Sequence, residues 1–183
     1  VSTNQAKTSP FLNLWPYTGA GAPTPVLRVN AIGNALNPRT VEVKANGTIV
    51  ANIVMDYFDY IKAEVPISQA AVNTGGVFID VSNRCLTTAN DRMVVAQTEL
   101  VYARVFNFGG ADKFEFSLAA NATGNYLEIS GFNHNGVSPV LYDFTNGQRY
   151  VCDITNPLFV KVVLQPSTTD RKLLLVSQHT SVP

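Results

Sequence analysis

Charge is scarce in this chain of 183 residues: 14% is Asp, Glu, Lys or Arg, against roughly 25% in an average soluble domain. The two signs also balance, with 13 basic and 13 acidic residues. A nucleic-acid surface needs a basic excess on one face, so nucleic acid is excluded as the expected partner. Cysteine is nearly absent, at 2 residues, Cys85 and Cys152. A secreted disulfide scaffold carries more, and zinc needs three or four clustered Cys or His ligands. The two cysteines are read as separately buried thiols, and pairing, which requires Cα atoms within about 7 Å, stays open. No apolar run approaches the roughly 20 residues of a membrane helix, so no transmembrane segment is expected. The opening VSTNQAKTSP has no basic stretch followed by an apolar core, so it is not a signal peptide. The first residue is Val1 rather than Met, and the chain is expected to be an excised piece of something longer.

What is abundant is apolar and β-branched. Apolar residues make up 46% of the chain, and about a quarter of all residues are Val, Ile or Thr. These side chains suit a pleated sheet and lose rotamer freedom in a helix. Residues 1–25 read as an N-terminal arm, with FLNLW (Phe11 to Trp15) as a possible anchor on the core. From Val26 onward strand follows strand: VLRVNAI, TVEVKA, TIVANIVM, FDYIKAEVPI, VFIDV, MVVAQTELVYARVFNF, KFEFSL, NYLEISGF, SPVLYDF, QRYVCDI, LFVKVVL and RKLLLVSQ. Asn46-Gly47 marks a tight hairpin. Pro66 marks an edge or a stop. The long run from Met93 to Phe108 alternates in its second half, with Leu100, Tyr102, Arg104 and Phe106 on one face; its first half has room for a bulge or a helical turn. The expectation is an all-β, antiparallel sandwich of about twelve short strands over residues 26–183, without a long helix. A subdomain break is conceivable near 108–112.

Chemistry has few places to reside. The two histidines, His134 and His179, sit in a polar Gly/Asn turn and in the C-terminal tail. Neither cysteine has the basic or glycine-rich surroundings of an activated thiolate. Asp56 and Asp59 come nearest to a calcium site but lack the spacing of a calcium loop. Glu99, Glu115 and Glu128 are the carboxylates to consider for sugar hydrolysis, which needs two of them across a cleft. No catalytic residue, cofactor ligand or metal ligand is therefore assigned. The aromatics Trp15, Tyr57, Phe58, Tyr60, Tyr102, Tyr126, Tyr142 and Tyr150 suit a stacking platform or, more commonly, a core. Asn46 and Asn121 head N-x-Thr sequons and mark exposed turns.

One ordered set of segments goes beyond generic β pattern: NDRMVVAQTELVYARVFNFGGADKFEFSL, GNYLEISGF, PVLYDFTNGQRYV and STTDRKLLLVSQ, within residues 90–178. It resembles the non-catalytic β region ahead of the caspase-like peptidase domain in the type IX secretion sortases, which are gingipain-related cysteine peptidases of Bacteroidetes. The matching features are a long strand ending in Tyr102-x-Arg104 and a turn running from Leu141 through Tyr142, Asp143, Asn146 and Gly147. The resemblance implies an accessory sandwich in a cell-surface, outer-membrane-associated or extracellular enzyme that processes secreted cargo and anchors it. Its partners would be the peptidase domain of the same parent chain and other secretion-system or cargo proteins. The family's catalytic His and Cys lie beyond this region, so none is carried over, and the fragment alone is expected to have no peptidase activity.

Read from its own residues, the turn is a hairpin in which Asn146-Gly147 supplies two positive-φ positions of a type I′ turn. Arg104 is half-buried and needs a partner, with Asp112, Glu115 and Asp143 as candidates. The alternative function is a free-standing carbohydrate- or protein-binding module, and the third an enzyme in its own right.

Overall fold

The computed structural model describes residues 1–178. Thirteen strands and one 3-10 turn, Gln69–Ala71, account for its regular structure, and no α-helix occurs among the described residues. Every strand ladder is antiparallel. The all-β sandwich expectation holds. The chain divides into two compact units, Val1–Val105 and Phe106–Pro183. The sequence reading had one sandwich with a conceivable break near 108–112; the backbone divides between Val105 and Phe106, and a separate hydrophobic cluster fills each side.

The first unit contains β1 (Ala6–Phe11), β2 (Val26–Gly33), β3 (Arg39–Ala45), β4 (Thr48–Met55), β5 (Tyr60–Pro66), β6 (Val77–Arg84) and β7 (Met93–Val101). They form two sheets, ordered β1-β6-β3-β4 and β5-β2-β7. Alternation decides which face is buried. Val41, Val43 and Ala45 of β3 point inward, as do Val77, Ile79 and Val81 of β6, and they meet Leu27 and Val29 of β2 from the facing sheet. Asn46 (φ 48°) and Gly47 (φ 81°) close the two-residue β3–β4 hairpin in the left-handed region, as expected of that pair. A bulge in β7 leaves Ala96 without a partner in β2.

Two expectations change here. Residues 1–25 include β1, which pairs with β6 along its whole length. Its polar AKTSPF sequence and Pro10 hid it, yet an edge strand tolerates both. Leu14, just beyond, is buried in the core. The run from Met93 to Phe108 is a strand only as far as Val101, so the face proposed for Tyr102, Arg104 and Phe106 is not strand alternation.

The second unit contains β8 (Lys113–Leu118), β9 (Asn125–Ser130), β10 (Val140–Asp143), β11 (Gln148–Val151), β12 (Phe159–Leu164) and β13 (Arg171–Val176). A four-stranded sheet, β11-β10-β13-β8, faces a two-stranded one, β12-β9. Leu127, Ile129, Val160, Val162 and Leu164 of the smaller sheet meet Leu141, Leu173 and Leu175 of the larger. Phe108 stacks on Phe114, with centroids 4.1 Å apart, over the inner face of β8.

Candidate functional site

The residues singled out in the Leu141–Gly147 turn are brought together, though not as expected. Asp143 pairs with Gln148, so the β10–β11 loop holds four residues, 144–147. Gly147 has φ 63°, but Asn146 does not take a positive φ, and the turn is not type I′. The cause is the Asp143 carboxylate. Its Oδ1 accepts the backbone N–H of Thr145 at 3.1 Å and of Asn146 at 3.0 Å, and its Oδ2 accepts the Asn146 side-chain amide at 2.8 Å. This capture fixes a longer loop than an Asn-Gly pair makes by itself. Tyr142, on the other parity of β10, is half-buried.

Asp143 is also half of a fully buried ion pair. Arg171 Nη1 donates to Asp143 Oδ2 at 2.7 Å, and its Nη2 donates to the Gln165 carbonyl. Burial pushes the Asp143 carboxyl up, but the hydrogen bonds from Asn146 and Arg171 outweigh it and hold the group below the ordinary carboxylate range. Asp143 is thus engaged by Arg171 and is not the partner of Arg104. Arg104 Nη1 donates to the Tyr102 hydroxyl at 2.6 Å and to the Asn13 carbonyl at 2.9 Å. A short antiparallel pairing of Pro16 with Arg104 runs beside them. The Tyr-x-Arg motif therefore ties the 13–17 segment to the chain that follows β7.

A second buried pair, unassigned from sequence, lies at one end of the first unit. Arg39 Nε donates to Asp91 Oδ2 at 2.6 Å and Arg39 Nη2 to Oδ1 at 2.9 Å, a two-pronged contact with both side chains fully buried. The remaining guanidinium donors reach the carbonyls of Tyr57, Ala35 and Asn37. Asp91 further accepts from Asn83 Nδ2 at 2.8 Å and Asn37 Nδ2 at 3.2 Å. Burial raises the Asp91 carboxyl, yet these donors hold it below the ordinary range. One ion pair thus fastens the β2–β3, β4–β5 and β6–β7 loops. The signal was present in sequence: Arg39 is in phase with inward Val41 and Val43, and Arg171 with Leu173 and Leu175.

The other candidates are dispersed. His134 is half-buried; its Nδ1 accepts from Gly136 N at 3.1 Å, which leaves Nε2 to donate to the Pro157 carbonyl at 3.3 Å. His179 lies outside the described residues. Cys85 and Cys152 are both free and buried, one in each unit. Burial pushes the Cys152 thiol up to about 12. Burial also raises Cys85, but hydrogen bonds from Thr87 and Thr88 overcome it and leave that thiol below its ordinary value. Glu99 meets Arg28 at 3.4 Å on the outer face of the first unit. Glu115 and Glu128 stand on the outer faces of opposite sheets in the second unit, so no cleft lies between them. Asp59 accepts from the Asp56 amide, and among the described residues no group of three or more His, Cys, Asp or Glu is placed to hold a metal ion.

The aromatics do not share one platform. Trp15 lines an open, mainly apolar cleft of about 560 Å³ with Pro16, Val72 and Val105. Tyr126 and Tyr150 line a separate cleft of about 450 Å³ in the second unit. Tyr57, Phe58 and Tyr60 are exposed around the β4–β5 loop. The Asn46 amide is occupied by Phe78 N and the Ala71 carbonyl, and Asn121 Oδ1 by the Thr123 amide and hydroxyl.

No family model matches the sequence, and no curated protein sequence matches it. A solved structure similar in fold is dimeric latent PorU from Porphyromonas gingivalis, with a TM-score of 0.60 at 11% identity. The correspondence covers 96% of this chain and 18% of that one, so the chain spans under a fifth of the length of the protein it matches.

Proposed function

We propose that this chain is an accessory, non-catalytic β-sandwich segment of a larger surface or secreted gingipain-type cysteine peptidase, a sortase that processes and anchors type IX secretion cargo. In that role it positions the peptidase domain of its parent chain or contacts cargo and other secretion-system proteins at the cell surface. The carrying observation is the fold likeness to PorU over 96% of this chain, reached independently of the Tyr102-x-Arg104 and Leu141–Gly147 resemblance. The dense bonding of Arg104 and Asp143 supports a structural role for those motif residues.

The reading frame that encodes the chain tests this directly: a caspase-like domain with its His and Cys should follow. Deletion of the 183 residues from that protein should leave cargo unprocessed, while the peptidase site chemistry stays intact toward a short peptide. A complete frame without a peptidase domain, or glycan-array binding by the free chain, overturns the proposal in favour of a binding module.

A further inference from the structure

Four exposed apolar residues of the first unit lie on loops at the end that holds its buried ion pair, whereas others, such as Ile49 and Phe78, lie by the β3–β4 hairpin. Leu36 is 73% exposed, Tyr57 50%, Phe58 59% and Leu86 97%. A single exposed leucine is ordinary. These four belong to three loops, 34–38, 56–59 and 85–92, at one end of the unit, where Arg39 pairs with Met55 and Thr40 with Arg84 across the sheet. The loops are held together. Arg39 and Asp91 bind all three, Tyr57 N donates to the Asn37 carbonyl at 3.2 Å, and Asn34 N donates to the Arg92 carbonyl at 2.9 Å. Gly33 packs so closely that a Cβ there would run into the Tyr57 carbonyl oxygen and the Arg39 guanidinium.

Tyr57 itself has φ 40°, a left-handed conformation that a bulky side chain rarely adopts. Gly or Asn would occupy it more easily, so the fold holds an aromatic ring where backbone preference disfavours one. Apolar anchors on loops whose backbones are already fastened suit a complementary pocket, because little backbone ordering is left to be done on binding. Insertion into lipid gains nothing from fixed relative positions. The exposed charges on the three loops are Asp56, Asp59 and Arg92, a net acidic fringe, since Asp91 is neutralised by Arg39. Such a fringe opposes an anionic leaflet and favours a basic surface.

We propose that this loop end is a docking site for a protein partner that offers an apolar pocket rimmed by Lys and Arg. Leu36, Tyr57, Phe58 and Leu86 are its anchors, and Asp56 and Asp59 match the rim. The proposal stands whether or not the parent chain carries a peptidase domain.

The test places the photoreactive residue p-benzoylphenylalanine at position 58 or 86 of the full-length protein in its own cells, with mass-spectrometric mapping of the adducts. The expected result is one protein surface whose crosslinked peptides carry Lys or Arg beside apolar residues. Crosslinking should fall at least tenfold in the D56N/D59N double variant. Tyr57→Gly should leave the melting temperature unchanged or raised, because it relieves the backbone, yet cut crosslinking at least fivefold. Adducts no more abundant than from the same probe at exposed Val163, or insensitivity to D56N/D59N, overturns the proposal. So does flotation of the protein with phosphatidylcholine–phosphatidylglycerol vesicles accompanied by lipid adducts alone.

Discussion

Truncation of Asp143 to Ala should be the most damaging single change in the second unit. One carboxylate there accepts four hydrogen bonds: the amides of Thr145 and Asn146, the Asn146 side chain, and Arg171. The loop donors belong to exposed residues and can turn to water, so their loss costs little. Arg171 cannot. Its side chain is fully buried, and without Asp143 it keeps only the Gln165 carbonyl among these partners. Removing one member of a buried ion pair costs about 3–5 kcal/mol, a large share of the roughly 5–15 kcal/mol that holds a domain folded. In the double variant Asp143→Leu with Arg171→Met, no charge is left buried and packing is kept. It should therefore be more stable than Asp143→Ala, with a coupling of about 1–3 kcal/mol in the cycle. Trp15, the 1 tryptophan, lies in the first unit, so its fluorescence reports the wrong core. Urea titration by far-UV circular dichroism, joined to hydrogen exchange at β10 and β13, reads the right one. A cost below about 1 kcal/mol for Asp143→Ala, or strict additivity of the pair, refutes the reasoning.

The remaining expectations concern pH, thiols and backbone. Asp91 and Asp143 are both held below the ordinary carboxylate range, so their stabilisation is complete above the unfolded value of about 3.9 and is lost as pH falls through the lower folded values. The urea midpoint should stay level from neutral pH to about 5 and drop below about 4, less steeply in D91N/D143N; a midpoint still level at pH 2 contradicts this. Cys152, buried with its thiol pushed up to about 12, should resist iodoacetamide at pH 8 until the chain is unfolded; native labelling at the rate of a free peptide thiol contradicts it. Gly147→Ala meets no atom but keeps φ 63°, which should cost about 1–2 kcal/mol, with Gly147→Asn milder; equal melting of all three chains contradicts a purely backbone origin.

The strand pattern was legible because period-two burial is written directly into residues such as Val41, Val43 and Ala45, or Leu173 and Leu175. The edge strand β1 was not legible. Its sequence carries almost no apolar alternation, because only one side of an edge strand is paired and most of Ala6–Phe11 faces solvent. The division between Val105 and Phe106 was legible only as a break near 108–112, and for a different reason. The apolar run continues across it, but the residues on either side join different cores: Tyr102 packs with the first and Phe106 with the second. Continuity of hydrophobicity does not report which core a side chain enters.

Asn46-Gly47 and Asn146-Gly147 are the same dipeptide with different outcomes, and the difference lies in the residues before them. Ala45, ahead of the first, has an apolar side chain that stays in the core, so the two positive-φ residues close the strands alone. Two residues before Asn146 stands exposed Phe144, and before that Asp143, whose carboxylate takes two successive loop amides. That capture is worth more than the I′ preference because Arg171 already holds the carboxylate in place inside the sandwich. Arg171 lies 28 residues away in sequence, beyond the reach of any local turn rule. Three of the four buried charges, by contrast, were readable one strand at a time: Arg39, Arg171 and Asp143 each share parity with core residues, and a charge in phase with an apolar face must find its opposite, whereas Asp91 lies on the β6–β7 loop. Parity names the charges; only the fold names their partners.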